Sequence, residues 1–120
     1  MDKMQLGLVE SRFADLVWQN APIATKDLVA ICEKELNWKR TTTYTVLKKL
    51  CLRGLFDMSD ARITVKMTKE EFNAIASQQF VDSTFSGSLP AFIAAFSTRQ
   101  NLSKEELAQI REMIDSMEET

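Results

Sequence analysis

The sequence predicts a mostly α-helical chain carrying one small β-hairpin. Three observations predict it. Gly and Pro number three and two among 120 residues, while Leu, Ile, Met, Ala and Glu abound, which favours helix over sheet. Apolar residues recur at helical spacing in six separate stretches. Between the third and the fourth of these, a short stretch alternates apolar and polar residues instead.

The first helix is expected from Val9 to Gln19, with Val9, Phe13, Leu16 and Val17 on one face, and Asn20-Ala21-Pro22 breaks it. A second runs from Thr25 to Leu36 with Leu28, Val29, Ile31, Cys32 and Leu36 as its apolar set, and Thr25 as its cap. The third spans Thr41 to Arg53, and Gly54 just beyond it is a C-terminal stop. Leu55-Phe56-Asp57-Met58 and Ile63-Thr64-Val65-Lys66-Met67 form the two strands around a polar Ser59-Asp60-Ala61-Arg62 turn.

Thr68-Lys69-Glu70-Glu71 is a capping box that opens a fourth helix with Phe72, Ile75, Ala76 and Phe80 along one side, ending near Ser86-Gly87-Ser88. A short fifth helix runs from Pro90 to Phe96, followed by a polar connector from Thr98 to Asn101. Ser103-Lys104-Glu105-Glu106 is a second capping box, opening a last helix whose Leu107, Ile110, Ile114 and Met117 make a narrow apolar seam. Helix-helix-helix-hairpin is the winged form of the helix-turn-helix, so residues 1–68 are expected to form a winged-helix domain. Residues 69–120 then form a helical arm.

Charge is distributed unevenly. The net charge is −2, yet Lys34 to Lys69 carries nine basic and three acidic residues, while Leu102 to Thr120 carries two basic and six acidic ones. A basic middle suggests an anionic partner, although such a stretch is also what a solvated face looks like. Cys32 and Cys51 lie 19 positions apart and the chain has no His, which speaks against a metal site, a disulfide framework and His-based catalysis. Two isolated cysteines on apolar helix faces read as small buried hydrophobes. No Gly-rich phosphate loop and no nucleophile setting is present, so no enzyme and no cofactor are expected. No apolar run is long enough for a bilayer and no signal-peptide core is seen, so a cytoplasmic chain away from the membrane is expected.

At 100° per residue, Thr43, Val46, Leu47 and Leu50 gather on the core side of the third helix. The opposite side centres on Thr41, Thr45 and Lys48, flanked by Thr42, Tyr44 and Lys49, with Arg40 at the start. Lysine and arginine neutralise phosphates or bond guanine edges, and the threonine methyl can touch a thymine methyl. Threonines are poor helix formers, so four of them here cost stability unless their outward groups serve a ligand; the alternative is a merely solvated helix start. Arg62 is the one clearly basic wing residue, with Asp57 and Asp60 nearby. These eight, Arg40, Thr41, Thr42, Tyr44, Thr45, Lys48, Lys49 and Arg62, are the candidate contacts to double-stranded DNA.

The arm's apolar residues Phe72, Ile75, Phe80, Phe92, Phe96, Leu107, Ile110, Ile114 and Met117 would be a large exposed patch on a monomer. Pairing with a second copy buries them and supplies two-fold symmetry; packing back onto the chain's own first domain is the alternative.

The stretch Trp38 to Leu55 resembles the signature of the penicillinase-repressor family, which includes β-lactamase, methicillin-resistance and copper-transport repressors. Trp38, Thr42, Thr45, Leu47, Leu50, Gly54 and Leu55 fall where that pattern has them, and the segments Thr68–Phe72, Ser86–Phe96 and Asn101–Leu107 are similar too. The resemblance implies a homodimeric repressor with each recognition helix reading one half-site of an inverted-repeat operator. It also implies a sensor protease as a partner, cutting near Ala95-Phe96. The sequence departs from the pattern in a shorter, less basic wing, in Ala24 before the second helix, in Ala95 at the cleavage position, and in lacking a cysteine-rich tail, which removes copper sensing. A winged-helix module that binds protein instead of operator is the other functional reading.

Overall fold

The computed structural model describes residues 3–119. Among them it has six helices and three short strands, ordered α1 (Leu8–Asn20), β1 (Ile23–Ala24), α2 (Thr25–Leu36), α3 (Arg40–Leu52), β2 (Phe56–Ser59), β3 (Arg62–Val65), α4 (Lys69–Thr84), α5 (Leu89–Arg99) and α6 (Lys104–Glu118). The winged-helix expectation holds, with local differences that have physical causes. The chain packs as two units, residues 1–79 and 80–120.

Helices α1 to α3 and the sheet enclose one apolar core. Phe13, Ala14 and Val17 of α1 meet Leu28 and Cys32 of α2, Leu47 and Leu50 of α3, then Leu55, Phe56 and Ile63 from the hairpin. Phe13 stacks on Trp38 with ring centroids 5.4 Å apart, and Trp18 packs edge-on to Phe56 at 5.6 Å. Trp18 also donates its indole N–H to the Met67 carbonyl at 2.9 Å, which ties α1 to the end of the wing. Buried indoles need such a partner.

Three residues link α2 to α3. Asn37 ends α2 in the left-handed conformation (φ 56°), which asparagine tolerates, and Lys39 is the N-cap of α3. Gly54 stops α3 with φ 88°, where a side chain would be strained. The Leu55 amide then reaches back to the Leu50 carbonyl at 3.1 Å.

Several boundaries depart from the sequence reading, the strands and turn of the hairpin among them, since Ser59 and Arg62 pair as strand residues. Thr25 is the first residue of α2, not its cap: its amide and its hydroxyl both donate to the Ala61 carbonyl at 2.9 Å, and Ala24 takes the cap position. That link brings Ile23–Ala24 alongside β3 as an unforeseen strand, giving the sheet order β1-β3-β2 with Ile23 opposite Ile63. Helix α3 starts at Arg40, one residue early. Helix α5 runs on to Arg99 from a Ser88 cap, absorbing much of the expected connector. Both expected capping boxes are present: Glu71 N–H donates to Thr68 Oγ1 at 3.1 Å, and Glu106 N–H to Ser103 Oγ at 3.0 Å.

The wing turns in two residues. Ser59 pairs with Arg62, leaving Asp60 and Ala61 at φ 52° and 55°, the left-handed pair that a tight hairpin requires. Aspartate accepts this conformation; alanine costs about 1–2 kcal/mol there. Ala61→Gly is therefore expected to stabilise the first unit by about 0.5–1 kcal/mol after the extra chain entropy of glycine is counted. A thermal midpoint that does not rise would contradict it.

Candidate nucleic-acid interface

Helix α3 shows two faces. Thr43, Leu47 and Leu50 are buried, and the Thr43 hydroxyl lies beside the Cys32 thiol. Arg40, Thr41, Thr42, Thr45, Lys48 and Lys49 are exposed, and Tyr44 is half-buried. The helix contains no acidic residue, and Lys39 caps it without a side-chain bond. Its positive end and its cations therefore act in the same direction.

Individual side chains are already oriented. The Thr45 hydroxyl donates to the Thr41 carbonyl at 2.8 Å, which leaves its oxygen as an acceptor. The Arg40 guanidinium lies 5.4 Å from the centre of the Tyr44 ring, a cation–π contact. Lys49, an expected DNA contact, pairs with Glu10 of α1 at 2.9 Å, and its ammonium holds the Glu10 carboxyl below the ordinary carboxylate range. Arg62 stands apart from the helix, as the exposed first residue of β3.

The outward stripe extends further than the sequence reading took it. Thr41, Thr45, Lys48 and Leu52 follow one another at 4-3-4 spacing, and Leu52 is 89% exposed. A leucine so bare on an otherwise polar face has no packing role in the chain. Helical spacing alone would have included it. Arg53 was also missed, because what it holds is 48 to 50 positions away in the sequence.

Residues 6–116 match the family model described as penicillinase repressor. The chain belongs to the penicillinase repressor family. A similar protein, the penicillinase repressor of Bacillus licheniformis, is 20% identical over 115 residues, which span 92% of this chain and 90% of that relative. The family's role is regulatory, and this member is a transcriptional repressor.

Among the described residues, no group of three or more His, Cys, Asp or Glu gathers in a way that could hold a metal ion. Burial pushes both the Cys32 and the Cys51 thiol up, away from the reactive thiolate. No described helix is long and apolar enough to cross a membrane.

The expected pairing residues divide between the two units. Phe72 is buried in the first core, 5.9 Å from Trp18, and Ile75 packs half-buried on the same core, so neither is free for a second chain. Periodicity placed them on one face with Phe80; the first core covers the start of that face. In the second unit Phe80, Phe85, Phe92 and Phe96 form a chain of ring contacts 5.7–6.1 Å apart. Along α6, Leu107 and Ile114 are exposed, Ile110 is half-buried, and Met117 is 68% exposed. From residue 80 to residue 119 no side chain is buried.

Proposed function

We propose that the repressor binds operator DNA as a homodimer, each α3 lying in the major groove of one half-site of an inverted repeat. The observation that carries this is the acid-free outward face of α3, with Thr41, Thr45 and Lys48 exposed above a buried Thr43, Leu47 and Leu50. Lys48 and Arg40 supply cations for phosphates or guanine edges, Thr45 offers a methyl and an acceptor oxygen to base edges, and Arg62 extends the contact from the wing. A winged helix over residues 1–68 does the reading and residues 69–120 contain the pairing surface, which on the packing begins beyond Gln79. A unit with a phenylalanine cluster and no buried side chain supports pairing with its own copy, the symmetric arrangement that an inverted repeat matches.

The same reading gives the repressor a sensor protease as partner, cutting Ala95–Phe96 inside α5. A chain left intact by a cognate protease would remove that part.

Fluorescence anisotropy with a fragment of the chain's own promoter, beside a scrambled duplex and over a range of salt, tests the DNA reading. Binding is expected to favour the promoter and to weaken steeply with salt, because phosphate contacts release counterions. Lys48→Ala is expected to weaken both duplexes alike and to lower the salt slope by about 1 per protomer. Thr45→Ala is expected to cost about 1 kcal/mol of preference for the promoter. Equal, salt-insensitive binding to both duplexes would point to a protein partner instead.

A further inference from the structure

The segment ahead of α1 is fastened to the end of the recognition helix. Nη2 of Arg53 donates to the Lys3 carbonyl at 2.6 Å and to the Gln5 carbonyl at 3.0 Å. Between those two, Met4 is only 8% exposed, and its amide donates to the Gln79 side-chain oxygen at 2.6 Å. Leu6 packs half-buried on the same core. A stretch of chain without helix or strand is thus held at both its carbonyls and its side chains.

An open groove lies between this arm and α3. Lys3 and Glu10 line one side, Thr45, Lys48, Lys49 and Leu52 the other, and Arg53 also borders it. Four cations face one carboxylate, so the groove is strongly positive. Thr45, Lys48 and Leu52 belong to the outward stripe of α3, which makes the groove a continuation of the reading face. Such an open channel has no enclosed polar pocket to select a small anion. A long, regularly spaced polyanion suits it better.

We propose that this groove seats the DNA phosphate backbone beside the major-groove contact, with Lys3 as a phosphate-binding residue and Arg53 as the residue that positions it. The inference rests on the DNA reading above and adds a contact outside the recognition helix and the wing. Arg53 acts through the arm, because its Nη2 is committed to two backbone carbonyls.

The test uses the full chain and a mixed-sequence duplex, with anisotropy read over a range of salt and the promoter fragment run alongside. Lys3→Ala is expected to weaken both duplexes by the same factor and to lower the slope of log K against log salt by about 1 per protomer. Arg53→Met, which keeps the stem and removes the guanidinium, is expected to do the same, and to add nothing further in the Lys3→Ala background. Additive losses would show Arg53 contacting DNA directly and overturn its positioning role. A wild-type chain that binds duplex while Lys3→Ala keeps affinity and slope unchanged overturns this inference alone. A Lys3→Ala loss confined to the promoter would make Lys3 a base reader and overturn the phosphate assignment. A wild type that binds neither duplex overturns the DNA reading and this inference together. An unchanged thermal midpoint is expected for Lys3→Ala, since Lys3 is exposed.

Discussion

Phe13→Ala is expected to lower the stability of the first unit by about 3–5 kcal/mol, the usual cost of emptying a fully buried aromatic site. Phe13 has no exposure, and its ring stacks on Trp38 in the turn that launches α3. The loss is thus both a cavity and a support removed from beneath α3. Against a total of about 5–15 kcal/mol for an ordinary domain, it is severe. Both tryptophans, Trp18 and Trp38, sit on this core, so their fluorescence follows the first unit's unfolding. The thermal midpoint should drop by more than about 12 °C. A drop under about 4 °C would show that the core is not organised around Phe13. Leu52→Ala is the control: a side chain that bare contributes little to folding.

Ile114→Asp is the second large effect. Ile114 sits mid-seam on α6 and is 49% exposed in the single chain, so a carboxylate there is tolerable until a second copy covers it. Burying it in a symmetric interface places the cost on both chains, at several kcal/mol each when unpaired. Light scattering should give the wild type a mass twice 13.7 kDa and the variant a mass of 13.7 kDa. Losing the link between two half-sites should then cost about 10²–10⁴ in affinity for the full operator, while a half-site duplex is bound as before. An unchanged tryptophan-monitored midpoint separates lost pairing from lost folding. A wild type already at the single-chain mass would end the homodimer proposal.

What could be read from the sequence was what local bonds decide. Thr68 and Glu71, and Ser103 and Glu106, bond within three residues of each other, and both helix starts fall where those pairs place them. The outward stripe of α3 needs only helical geometry, and Thr41, Thr45 and Lys48 emerged on it as exposed. Features decided by distant partners could not be read. Thr25 looks like a cap until the Ala61 carbonyl, 36 positions away, takes its hydroxyl. Ile23–Ala24 has too little length to announce a strand and exists because Ile63 lies opposite. The ion pair of Lys49 could not be read because nothing local reveals Glu10, and Phe72 looked available because periodicity says which residues share a face, never what covers it.

The absence of any buried side chain between residues 80 and 119 bears on dosage in the cell. If a second copy completes that unit, then at low abundance the active species scales with the square of chain concentration, and halving synthesis leaves a quarter of it. Repression would then release abruptly as the chain is diluted by growth or removed by a protease, giving a switch-like response without any cooperativity among operators.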